Sequence, residues 1–195
     1  MNFLLLPVIV LSFLCQSCLG AIESPLETTQ PVEVSSSIAP KGDTLESKSS
    51  TPCTSCILVS PSNRTNSVGN KIYEVQVIDQ EGTVQLSLDA LNGRAHTQSA
   101  DRNIAGIEAP IPRGEYRLQG QPYASDLYET GYIFWHFTPQ FPTSRSALGF
   151  HVDPSWGQRN GEDGTAGCIA FQTRQEFDAL LQEANRLGIT RILIH

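Results

Sequence analysis

Apolar and polar positions alternate along Lys71–Ile78, with Ile72, Glu74, Gln76 and Ile78 on one side and Tyr73, Val75 and Val77 on the other. A period of two is that of a half-buried strand. Asp79-Gln80-Glu81-Gly82 turns the chain, and Val84, Leu86 and Leu88 alternate with Gln85 and Ser87 on a return strand, which together predict a β-hairpin. Asn92-Gly93 turns the chain again, and the segment to about Gly106 is irregular, with His96 on a polar run. Pro110 and Pro112 keep the next approach extended, Gly114 permits a turn, and Tyr116-Arg117-Leu118 continues as strand. Tyr132–Phe137 is a strand-prone run, and Leu148-Gly149-Phe150-His151 is a short apolar strand. The period changes once. Thr173 and Glu176 form a capping box, Phe177, Leu180, Leu181, Ala184 and Leu187 recur at helical spacing, and Gly188 stops the helix. Ile189, Arg191, Leu193 and His195 then alternate with Thr190, Ile192 and Ile194 on a closing strand. The pattern predicts a mainly β domain over residues 71–195, a sandwich or barrel-like fold with one helix.

The N-terminal third is different. Phe3–Cys15 is an apolar run interrupted only by Pro7 and Ser12, with no charge before Glu23. It is too short to span a bilayer and suits a secretory signal over residues 1–20. A lipid anchor on Cys15 or Cys18 is the alternative, the one route by which this chain would meet a membrane. Residues 21–70 are rich in Ser, Thr, Pro and Glu, too poor in large apolar side chains to repay the entropy of ordering, and predict a flexible tether. A chain starting near Ser67 is therefore expected to fold unaided. Within the tether, Cys53-Thr54-Ser55-Cys56 is readable as a small disulfide loop, as free thiols or as a redox pair. The last lacks the flanking strand and helix it needs. Asn63-Arg64-Thr65 is a glycosylation sequon.

With 195 residues and 39% apolar composition, the chain supports one modest core. Its net charge of −7 and lack of a Lys/Arg cluster exclude nucleic acid as a partner. Candidate chemistry concentrates in Gly149–Phe171, where His151 ends a strand and Gly164-Thr165-Ala166-Gly167-Cys168 closes a polar loop. A thiol beside an imidazole passes it a proton and becomes a nucleophile. The competing reading is a small buried cysteine and a hydrogen-bonded structural histidine.

A His, a polar loop and then Thr-x-Gly-Cys before an apolar residue resembles the L,D-transpeptidase catalytic domain, as does the segment Pro112-Arg113-Gly114-Glu115-Tyr116. The resemblance spans about Lys71 to His195. The His common at the x position is Ala166 here, the Arg common two places after the Cys is Ala170, and the Gly usual after the His is Val152. The resemblance implies an exported, cofactor-free and metal-free enzyme, monomeric, acting on peptidoglycan stem peptides in the cell wall or periplasm. Cys168 would be the nucleophile and His151 the general base. The Gly167 and Cys168 N–H groups would hold the oxyanion, and the carbonyl of Gly164 or Thr165, or else the Asp153 carboxylate, would orient the imidazole. Substrate contacts are expected from His136, Arg145, Asp153 and Trp135. For His136 the alternative is an edge-strand histidine, and for Arg145 a solvent-facing loop cation. In this reading Arg145 replaces the missing family Arg in binding a substrate carboxylate. A fold-retaining, non-catalytic wall-binding domain and a metallopeptidase using His136, His151 and Asp153 are the rival classes.

Overall fold

The strand pattern closes on itself. A computed structural model describes residues 53–195. The expected signal, 1–20, and the tether as far as residue 52 lie outside the described residues. Nine strands are β1 (Cys56–Thr65), β2 (Lys71–Ile78), β3 (Val84–Asn92), β4 (Gly114–Leu118), β5 (Tyr123–Ala124), β6 (Ile133–Pro139), β7 (Gly149–Val152), β8 (Ile169–Phe171) and β9 (Arg191–Ile194). They form one sheet in the order β4-β9-β1-β2-β3-β8-β7-β6-β5. β4 also pairs with β6, Leu118 opposite Phe137, so eight strands close into a barrel and β5 runs beside the other half of β6. Closure removes the open edges that invite pairing with other chains. The domain is mainly β, with one helix, α1 (Arg174–Leu187).

Alternation decides which side chains fill the interior. Tyr73, Val75 and Val77 of β2, Trp135 and Phe137 of β6, Phe150 of β7, and Ile169 and Phe171 of β8 are at most 2% exposed and belong to one core. Rings meet there edge-on, Phe137 against Phe150 at 5.0 Å and Tyr116 against Phe137 at 5.4 Å, an arrangement that adds to area burial. Helix α1 begins at Thr173, whose hydroxyl accepts the Glu176 N–H while the Glu176 carboxylate accepts the Thr173 N–H. It ends at Gly188 in the left-handed region, φ 63°. Its buried stripe of Phe177, Leu180 and Ala184 packs on β2, β3, β7 and β8.

One boundary moves. The barrel starts at Cys56, not at Lys71, because β1 lies between β9, which it meets in parallel, and β2. Cys56, Ile57 and Val59 are fully buried. Ile57-Leu58-Val59 is a short apolar run whose flanking Ser and Pro residues disguise it as linker, yet Pro61 sits near the end of its paired stretch. Cys53 and Cys56 form a disulfide just before this strand. Asn63 lies on the exposed end of β1. No helix among the described residues is long and apolar enough to cross a membrane.

Candidate active site

The outer face of β6, β7 and β8 carries the candidate chemistry. Trp135, Phe150 and Ile169 point inward, so their neighbours Phe134, His136, Gly149, His151, Cys168 and Ala170 fall on the opposite face. Register then sets the neighbours. Phe134 pairs with His151, which pairs with Ala170, and His136 pairs with Gly149. Continuing the parallel β7–β8 register one step puts Cys168 beside Gly149. Cys168 is the bend residue just before β8, so it lies diagonal to His151, whose partner across the strands is Ala170.

Gly149 leaves room on this face. A Cβ there would collide with the Phe134 ring and lie 2.8 Å from the Trp135 carbonyl. Phe134 accordingly lies between the imidazoles, its ring centroid 6.4 Å from that of His136 and 6.3 Å from that of His151. A cleft of about 590 Å3 opens beside it, and Cys168, Ala166, Leu148, His136, Leu127 and Glu129 are among the residues that line it. Cys168 is half-buried at its wall. His151 does not line this cleft and is only 5% exposed.

The His151 Nδ1 atom lies 2.9 Å from the Val152 carbonyl. A carbonyl only accepts, so Nδ1 bears the proton and Nε2 is left as the basic nitrogen. Burial pushes this imidazole down to about 4, with the Val152 hydrogen bond opposing the shift, so it is neutral at physiological pH. Burial pushes the Cys168 thiol up to about 11, against the Gly149 backbone and the Arg145 guanidinium, which favour the thiolate. The thiol donates to the Ala147 carbonyl at 3.5 Å. The resting pair is thus a neutral thiol and a neutral imidazole.

The loop between β7 and β8 sets where Cys168 sits. The Thr165 hydroxyl donates to the Cys168 carbonyl at 2.7 Å and accepts from the N–H of Gly93 at 2.8 Å and of Gly167 at 3.2 Å. It ties the cysteine to the end of β3, a positioning role. Thr165 takes the Gly167 N–H, so that group is not free for the oxyanion role expected of it. The imidazole is oriented by Val152, not by Gly164, Thr165 or Asp153. The Asp153 carboxylate instead accepts the N–H of Ser155 at 2.8 Å and of Gly164 at 3.0 Å, a brace inside the loop. Burial raises Asp153 to about 6, with those two hydrogen bonds holding it back. Asp163 makes a second brace, accepting from Asn66 at 2.8 Å and from Asn70 and the Gly157 N–H.

Two more expected substrate residues are elsewhere. Trp135 is 2% exposed in the core and donates its indole N–H to the Gly120 carbonyl at 3.0 Å. It faces away from the cleft, as period two requires of a neighbour of His136. Arg145 is 6% exposed and lies under the cysteine loop, neither in the cleft nor in solvent. Its guanidinium donates to the carbonyls of Arg102 and Ala166 at 3.1 Å and of Ile104 and Ala109 at 3.4 Å. A substrate carboxylate cannot reach it there. His136, by contrast, shares the cleft with Cys168. Asp153 is turned into its loop, so His136, His151 and Asp153 do not converge, and no cluster of metal-ligating side chains occurs among the described residues.

No family model matches the chain, and no curated protein matches it.

Phe134, Glu129 and the Val152 carbonyl were not legible as site components. Only Phe134 left a trace in the sequence, as the same-face partner of His136 two residues away. Gly167 has φ +101°, and a Cβ on it would overlap the Arg145 guanidinium and lie 2.8 Å from the Ala109 carbonyl. Gly167→Ala is expected to cost roughly 2–5 kcal/mol, from left-handed strain plus overpacking. A thermal melt checks it, and a wild-type Tm would show that the loop relaxes freely around the added methyl group.

Proposed function

We propose that this chain is an exported cysteine acyltransferase or peptidase acting on peptidoglycan stem peptides, of the L,D-transpeptidase, L,D-carboxypeptidase or endopeptidase kind. One observation carries the reading: the Val152 carbonyl fixes the Nδ1–H tautomer of His151, leaving Nε2 basic on the sheet face that bears Cys168. The substrate class rests on the resemblance of His151, Thr165, Gly167 and Cys168 to the transpeptidase motif. Release into the cell wall or periplasm rests on the signal-like apolar run.

Nε2 takes the thiol proton as sulfur attacks the scissile carbonyl, and the Cys168 N–H supports the oxyanion. The carbon–nitrogen bond breaks, the amine leaves with the proton from Nε2, and a thioester remains on Cys168. Attack by a second amine completes transpeptidation, and attack by water completes hydrolysis. Because the resting thiol donates to Ala147, substrate binding has to swing it toward His151. Apo geometries of this looseness are ordinary for catalytic pairs.

The test is to incubate the protein with a stem tetrapeptide and search by mass spectrometry for an acyl group on Cys168. The pH profile is a second measure. His151 must be neutral, so kcat/KM is expected to fall as pH drops through about 4 and to stay level through neutrality, since the thiol titrates only near about 11. An acid limb near the free-imidazole value of about 6.5 would exclude a buried neutral base. The resting Cys168–Ala147 hydrogen bond favours one rival, a wall-binding domain without turnover. Binding of intact peptidoglycan with no acyl adduct would establish it.

A further inference from the structure

Arg145 is the one buried Lys or Arg among the described residues, and no carboxylate lies within ion-pair distance of it there. Every described partner of its guanidinium is a backbone carbonyl: Arg102, Ile104, Ala109 and Ala166. Carbonyl dipoles replace lost water, but they leave a full positive charge uncompensated in a medium of low dielectric, which ordinarily costs several kcal/mol. A negative charge forming beside it would offset that cost.

The place where one forms is adjacent. The Ala166 carbonyl held by Arg145 belongs to the residue two before Cys168, and the guanidinium fills the space where a Gly167 side chain would stand. We infer that Arg145 is the resident counter-ion of the Cys168 thiolate and of the oxyanion formed there, a positioning residue fixed behind the cysteine loop rather than a substrate ligand. The inference rests on the reading that Cys168 reacts as a nucleophile. It explains how a chain with Ala170 beyond its cysteine keeps a cation at the site: the charge arrives from the β6–β7 connection, beneath the loop. Other groups bear on the same charge. Glu129, which also lines the cleft, disfavours the thiolate and Arg145 favours it, while His136 and His151 share the outer sheet face. The Tyr116 phenol, which also feels Arg145, is held protonated by burial, so it supplies no competing anion.

The experiment reads the charge on sulfur, not turnover. Alkylation of Cys168 by iodoacetamide, mapped by mass spectrometry on the full chain, is followed against pH for wild type, Arg145→Met and Arg145→Lys. Arg145→Met is expected to move the alkylation midpoint up by about one pH unit, a tenfold loss of thiolate at fixed pH. Arg145→Lys, which keeps the charge, is expected to move it less than half as far. An unchanged midpoint in folded Arg145→Met overturns the assignment and leaves Arg145 as a clamp between loops.

Should Arg145→Met fail to fold, the same alkylation midpoint is read in Arg145→Gln, which keeps hydrogen-bond donors for the loop carbonyls and drops the charge. Its midpoint is expected to rise as for Arg145→Met, and an unchanged midpoint in folded Arg145→Gln overturns the assignment. Turnover without these shifts sinks the role of Arg145 alone, and the shifts without turnover sink the acyl-transfer reading alone.

Discussion

A chain beginning at Ser67 is expected not to fold. The deletion removes β1, which pairs on both sides, with β2 from Cys56 to Thr65 and with β9 at Ile57–Val59. Ile57 and Val59 are fully buried, and each such side chain contributes roughly 1.5–3 kcal/mol by leaving water. The loss also opens the barrel along β2 and β9, exposing two rows of unpaired backbone groups. Set against a total stability of about 5–15 kcal/mol, removing a central strand leaves no stable native state. Circular dichroism during heating checks this: the Ser67 chain should show no cooperative transition, whereas one starting at Thr51 should melt like the full protein. Equal melting of the two chains would mean that β1 is dispensable.

Cys168→Ser and His151→Ala are each expected to lower kcat on a stem tetrapeptide at least about a thousandfold, the scale seen when one member of a nucleophile–base unit is removed. They should differ in stability. Cys168 is half-buried at the cleft wall, and exchanging sulfur for oxygen changes little volume, so its Tm should stay close to wild type. His151 is buried and hydrogen-bonded to the Val152 carbonyl. Cutting it to Ala leaves that acceptor unpaired and costs roughly 1–3 kcal/mol. Steady-state kinetics beside a melt separates the two effects. Retained turnover in either variant rules out the thiol–imidazole mechanism.

The contrast between β1 and β2 shows what local pattern carries. Tyr73, Val75 and Val77 alternate with polar residues because β2 buries one face, and helix α1 announces itself through Thr173, Glu176 and Gly188 because capping is satisfied within a few residues. These elements, the mainly β class and the single helix follow from the sequence by itself. So does the pairing of Phe134 with His136 on one face, which needs only period two. β1 carries no such local signal, because its apolar stretch is short and ends in Ser and Pro, and its place between β9 and β2 depends on residues more than a hundred positions downstream.

The site divides the same way. The motif pairs His151 with Cys168, but the β7–β8 register puts His151 beside Ala170, and burial decides the protonation of both groups. Trp135, Asp153 and Arg145 were candidates because their residue types suit substrate binding. Which way each points is a non-local outcome: Trp135 is turned into the core, Asp153 braces backbone N–H groups, and Arg145 is enclosed by carbonyls from two distant loops. Sequence determines which groups are present and the period on which they recur. Only closure of the barrel decides which of them meet, because hydrogen-bond partners and desolvation come from strands far apart along the chain.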